Sequence, residues 1–132
     1  MTTPYPVAGQ SATAAQASPG AWQLITLING WVNGSSGNQK IACRYIPLTN
    51  EIQIQGTING ASKSSSTFGV IPSGVGIPLP GTQIQFPVGQ SGGSAAITPF
   101  LQVDTAGNLT INTAAAAVYV IGGRIPVDAP GI

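Results

Sequence analysis

Charge is what this sequence has least of. Its 132 residues carry four cations (Lys40, Arg44, Lys63 and Arg124) and three anions (Glu51, Asp104 and Asp128), 5% of the chain against about a quarter in an ordinary soluble domain. Histidine is absent, and cysteine occurs once, at Cys43. Each shortage excludes something. Acid–base and nucleophilic catalysis need titratable groups held close together, and these few are dispersed, so the chain reads as a non-enzyme. Without histidine, and with a single cysteine, it has no zinc ligand set. Three scattered acids are too few for a calcium cage or for the paired carboxylates of glycoside cleavage. No metal and no cofactor are expected. The lone Cys43 forms no intrachain disulfide and reads as a small buried hydrophobe on a strand. Four unclustered cations do not make a phosphate-binding footprint, so no nucleic-acid partner is expected.

Long apolar runs are missing too. Apolar residues make up 42% of the chain, but runs such as residues 114–121 fall well short of the roughly 20 residues that a spanning helix needs. No membrane insertion is expected. The opening Met1-Thr2-Thr3-Pro4-Tyr5-Pro6 lacks the basic and apolar regions of a signal peptide.

What is present is punctuation and alternation. Eighteen glycines and eleven prolines oppose a helical fold. The best helical stretch, residues 113–117, is too short to stand alone and reads as a loop or one turn. Ile52, Ile54 and Ile58 alternate with Gln53, Gln55 and Thr57. The same period of two runs through Ile84 and Phe86, Leu101 and Val103, and Leu109 and Ile111. Asn29-Gly30, Asn33-Gly34 and Asn59-Gly60 are turn signals, and Asp104-Thr105-Ala106-Gly107-Asn108 reads as the loop of a hairpin joining residues 100–104 to 108–112. Short strands with regular turns predict an all-β sandwich or barrel over residues 21–132.

Two stretches, residues 22–28 and 118–121, are apolar on both faces, and a strand apolar on both sides is covered on both sides. In so small a domain the second cover is another subunit, and Trp22 itself is read as core. A surface solubilised by neutral amides and hydroxyls also lacks the like-charge repulsion that keeps proteins apart. Both features point to obligate assembly. Residues 1–20 read as an extended arm of small residues and prolines that cannot bury enough surface alone. Pro4, Tyr5, Pro6 and Val7 are its anchor on a partner, extended like polyproline II.

The remaining chemistry is recognition. Flat aromatic faces stack on the C–H faces of sugars while amides meet the hydroxyls, which is the usual make-up of a pocket. Trp31, Asn33, Tyr45 and Tyr119 are the candidate glycan-binding residues. Core or subunit packing is the competing reading, since an aromatic on a strand usually belongs to the interior. Ser62-Lys63-Ser64 does not make a catalytic dyad, because adjacent strand residues point to opposite faces.

From Trp22 to Pro126 the sequence resembles the C-terminal β-sandwich module of bacteriophage tail-fibre, baseplate and minor tail proteins. The signs, in order, are Trp22, Leu24 and Leu27 leading to Asn29-Gly30-Trp31; Arg44-Tyr45; Ile52-Gln53-Ile54-Gln55-Gly56; Phe68-Gly69-Val70-Ile71-Pro72 with Pro78; Phe86-Pro87; Gly107; Ile111; and Gly123-Arg124-Ile125-Pro126. The chain departs from the family at Ser73-Gly74-Val75-Gly76-Ile77, where the family usually carries an aromatic residue and an arginine. The resemblance implies an antiparallel, jelly-roll-like sandwich in a homotrimer on the virion surface, binding host cell-wall saccharide without hydrolysing it. The arm would dock on another virion protein of the tail or capsid. A capsid decoration protein with no receptor role is the alternative.

Overall fold

The computed structural model describes residues 18–34, 39–72, 76–91, 99–112 and 117–127. Among the described residues every regular element is a strand: β1 (Gln23–Leu24), β2 (Val32–Asn33), β3 (Ala42–Ile46), β4 (Glu51–Asn59), β5 (Thr67–Val70), β6 (Ile84–Pro87), β7 (Gly89–Ser91), β8 (Phe100–Val103), β9 (Asn108–Asn112) and β10 (Val118–Pro126). They form two antiparallel sheets. One has six strands in the order β1-β3-β4-β10-β7, with β2 also paired to β4. The other has four, in the order β5-β9-β8-β6. The fold is an antiparallel β-sandwich, as the alternation and the resemblance predict.

The alternating residues stand side by side on the inward face of each sheet. In the larger sheet, Ile52 stands opposite Ile125 and Tyr45, Ile54 opposite Cys43, and Ile58 opposite Tyr119. In the smaller sheet, Leu101 pairs with Ile111 and Val103 with Leu109. All of these are buried. Each such side chain contributes roughly 1.5–3 kcal/mol by leaving water, so the inward rows hold the two layers together. Burial pushes the Cys43 thiol up to about 11, because the thiolate would lose its solvation there.

The hairpin between β8 and β9 forms as expected. Asp104 closes it: its carboxylate accepts hydrogen bonds from the backbone N–H groups of Ala106 and Asn108 and from the Asn108 side-chain amide. Desolvation would raise this carboxyl. The bonds from Asn108, Ala106 and Gly107 outweigh it and hold the group below its ordinary value.

Of the three Asn-Gly pairs, only Asn29-Gly30 turns with positive φ, 57° and 80°. Asn33 lies in β2, and Asn59 ends β4. Gly60 serves a different purpose: a Cβ there would lie 2.7 Å from Cζ3 of Trp31, so the missing side chain seats the indole.

The stretch at 22–28 departs from expectation. Only Gln23 and Leu24 pair, as an edge strand on β3. Ile25 is buried, but Trp22, Leu24 and Ile28 are exposed. Trp22 is therefore not core. Strand alternation turns it to the outer face with Leu24, where it is 37% exposed. At 118–121, likewise, Tyr119 and Ile121 point inward while Val120 remains 52% exposed. The arm anchor Pro4, Tyr5, Pro6 and Val7 lies outside the described residues, as do residues 113–116 of the expected turn. The described chain begins at Ser18, and the N–H of Gly20 donates to the Tyr45 carbonyl at 2.8 Å.

Candidate functional site

Of the four sequence candidates, Trp31, Asn33 and Tyr119 lie near one another around Ile58 of β4, and Tyr45 lies apart. Trp31 is 3% exposed. Its ring centroid lies 5.9 Å from those of both Phe68 and Tyr119, tilted against each, and its Nε1 donates to the Ser65 carbonyl at 2.8 Å. Tyr119 is fully buried. The Trp31 ring packs on both Tyr119 and Phe68, and within a single chain the buried Trp31 and Tyr119 offer no open face for stacking. Tyr45 is also buried, and its hydroxyl donates to Oδ1 of Asn50. It stands beside Ile52 on β4, whereas Tyr119 stands beside Ile58. At about 3.3 Å per residue those positions are roughly 20 Å apart. Asn33 alone is exposed, and its Oδ1 accepts the Ile41 N–H at 3.1 Å, bridging β2 to the approach to β3.

The sandwich has two outer faces, and their chemistry differs. On the six-stranded sheet, register places Arg44, Gln53 and Arg124 in one cross-strand row and Ala42, Gln55 and Gly122 in the next. Leu24 extends the second row, and Trp22 lies under Arg44, whose guanidinium carbon is 4.4 Å from the ring centroid. Arg44 Nε also donates to Oε1 of Gln53 at 2.9 Å, and Arg124 lies 3.5 Å from Glu51. Further along this face Leu24 is 64% exposed and Val32 56% exposed. With Trp22 and Val120 they share this outer face, at positions on or beside β1, β2 and β10 that are separated by the polar rows of β3 and β4.

The four-stranded sheet is built from uncharged strands, with one carboxylate, Asp104, at its β8–β9 hairpin. None of β5, β6, β8 and β9 contains a charged residue. Inward Ile84, Leu101, Val103, Leu109 and Ile111 leave the polar half of each strand outside. Register aligns Thr67, Thr110, Gln102 and Gln85 across all four strands, and puts Asn112, Phe100 and Pro87 in the next row. The polar row is hydrogen-bonded across. The Thr67 and Thr110 hydroxyls are 3.1 Å apart. Gln102 Oε1 accepts from Asn112 Nδ2 at 2.8 Å and from Gln85 Nε2 at 3.1 Å. At the end of this ladder a groove of about 320 Å³ is lined by Gln85, Phe86, Pro87, Pro99 and Phe100.

The sequence reading missed Phe100, Gln85, Gln102 and Asn112 as a group. Its signal was the polar half of the alternation, Gln83-Ile84-Gln85-Phe86 and Leu101-Gln102-Val103. Alternation says that these amides share a side of their own strands. It does not say which strands are neighbours. Among the described residues no three acids or thiols gather as a metal ligand set.

No family model and no curated protein sequence matches the chain. The fold does have a solved counterpart. The chain is similar to the receptor binding protein gp15 of Listeria phage PSA, with a TM-score of 0.64 and 15% identity, over 83% of this chain. The chain spans 66% of that protein's length. At this identity the likeness is one of fold: this chain shares its β-sandwich with a phage receptor binding protein.

Proposed function

We propose that this chain is a non-enzymatic structural protein of a bacteriophage particle, of tail-fibre or tail-tip type, which contacts saccharide on the host cell surface. The observation that carries the reading is the sandwich it shares with a phage receptor binding protein over 83% of its length. Composition supports it: seven charged residues in 132 and no histidine suit recognition by shape, stacking and neutral hydrogen bonds rather than catalysis.

Assembly belongs to the same proposal. The outer face of the six-stranded sheet exposes Trp22, Leu24, Val32 and Val120, and large apolar side chains left in water on one sheet face favour a protein contact there. Copies of the chain cover it in a homotrimer on the virion surface. Residues 1–20, with Pro4, Tyr5, Pro6 and Val7 as anchor, fasten that trimer to a neighbouring virion protein.

The test is to locate the chain on purified particles with a gold-labelled antibody and to count its copies. A few to a few dozen copies at the tail tip are expected. Absence from the particle overturns the proposal. Hundreds of copies over the head would make the chain a capsid decoration protein instead.

A further inference from the structure

We infer that the outer face of the four-stranded sheet, centred on Gln102, Gln85 and Phe100, is a binding site for an uncharged saccharide. The inference rests on the saccharide-contact reading above and gives it a site and a ligand class.

Gln102 is held in place by its neighbours. Its Oε1 accepts from both Asn112 and Gln85, so the amide cannot flip without losing two bonds. That fixes where its Nε2 hydrogens lie, and among the described residues neither has a protein partner. Gln85 is the complement. Its Nε2 is committed to Gln102, and its Oε1 accepts from none of the described residues. A fixed donor and an available acceptor thus sit side by side on paired strands, since Gln85 and Gln102 are register partners. Adjacent sugar hydroxyls, each both donor and acceptor, match that arrangement.

The neighbouring register pair is Phe100 and Pro87. Phe100 is half-buried, which fixes the ring while leaving part of it in contact with solvent. A saccharide bonded to the two glutamines would lay its C–H face towards this ring. The groove of about 320 Å³ beside them is shallow and open, lined by Gln85, Phe86, Pro87, Pro99 and Phe100, so a ligand there would lie against the surface.

Charge selects the class. The four strands carry no cation to meet a phosphate or carboxylate, and the carboxylate that follows β8 on this side, Asp104, is already bonded by Ala106 and Asn108 and would repel an anion. The arginines Arg44 and Arg124 stand on the other sheet. An anionic sugar would lose hydration on this face without gaining a counter-charge, so neutral sugars are favoured.

The experiment titrates the full chain with a panel of neutral hexoses, N-acetylhexosamines and their disaccharides, and with uronic acids and sugar phosphates. It follows the side-chain amide signals of Gln85, Gln102 and Asn112 by NMR. A neutral sugar should shift these signals and bind about ten-fold more weakly to Gln102→Ala. Phe100→Leu keeps an apolar side chain of similar bulk and should weaken binding as much. Backbone spectra of both variants check that the fold is retained. Unchanged neutral-sugar binding in both variants would remove this site while leaving the saccharide reading intact. Binding of anionic sugars alone would overturn the ligand class. No binding by any sugar at millimolar concentration would overturn both the site and the saccharide reading.

Discussion

Replacing Trp31 with alanine tests whether the aromatic cluster is structure or ligand platform. The indole is 3% exposed. A buried aromatic of this size removes about 150–250 Å² from water, and at about 25 cal/mol per Å² that is roughly 4–6 kcal/mol. Alanine recovers a small part through its own methyl group. Losing Nε1 leaves the Ser65 carbonyl without its donor, at about 1 kcal/mol. The ring also fills the space between Phe68, Tyr119 and Gly60, and a sheet interior held from both sides collapses poorly into a void. Trp31→Ala should therefore cost about 4–5 kcal/mol, a large fraction of the roughly 5–15 kcal/mol that holds a domain together. Trp31→Phe retains a ring and loses the donor, and should cost about 1–2 kcal/mol. The assay is urea unfolding at one fixed protein concentration, followed by far-ultraviolet circular dichroism. With a urea slope of about 2 kcal/mol per molar, the alanine variant should lose about 2 M from its midpoint, if it folds at all. A midpoint within about 0.5 M of wild type would show that the ring is not the centre of this core.

Three further outcomes follow from the same geometry. Trp22→Ala should cost the folded chain no more than about 1 kcal/mol, because the ring is on the outside and its main contact is one guanidinium; a loss as large as that of Trp31→Ala, read by the same unfolding curves, would place it back in the core. Cys43 should resist maleimide at pH 8 in the folded state and react fully in urea, since burial holds its thiol near 11; rapid native labelling would contradict its burial. Asp104→Ala should destabilise the β8–β9 hairpin by about 1–2 kcal/mol through loss of its hydrogen bonds to the loop. As pH falls, the unfolded chain takes up this proton first, because the folded carboxyl titrates below its ordinary 3.8. The stability it confers is therefore complete well above that value and disappears as pH falls through the folded value. Titration of wild type against Asp104→Ala should show the gap between their melting temperatures closing only on the acid side of about pH 4. A gap constant down to pH 2 would separate the carboxylate from the effect.

The strands were largely legible because one side of each had to be apolar. Ile52, Ile54 and Ile58, Leu101 and Val103, and Leu109 and Ile111 all face inward as their alternation says, for a period of two allows a strand only two faces. Alternation carries no information about which strand lies beside which. β4 pairs along its whole length with β10, near the far end of the chain, and nothing local announces that. The aromatic residues were misleading for a related reason. Trp22 opens an apolar run and Trp31 sits between two Asn-Gly turn signals, yet the first lies on the outer face of an edge strand and the second at the centre of the core. The amide ladder was hidden by the same gap: Gln85 and Gln102 meet only once β6 and β8 are in register.

Where the few charges fall links the two outer faces. Arg44, Glu51 and Arg124 all belong to the six-stranded sheet, and each already has a partner within the chain: Arg44 in Trp22 and Gln53, Arg124 in Glu51. Covering a charged group is costly chiefly when its partner must be supplied by the new surface or is missing. Here a second copy lying on Trp22, Leu24, Val32 and Val120 would meet Glu51 and Arg124 already paired with each other. Arg44 has no counter-charge within the chain, and what it keeps on being covered is the Trp22 ring and the Gln53 amide. The strands of the four-stranded sheet have no charge to protect, the Asp104 carboxylate at their hairpin end is tied to Asn108, and among the described residues Gln102 Nε2 and Gln85 Oε1 are left for a ligand. A chain this poor in charge can therefore give one face to its own copies and keep the other for a neutral ligand, with neither contact depending on ionic attraction. Salt between about 0.05 and 1 M, which shortens the screening length from more than 10 Å to about 3 Å, should leave both contacts nearly unchanged.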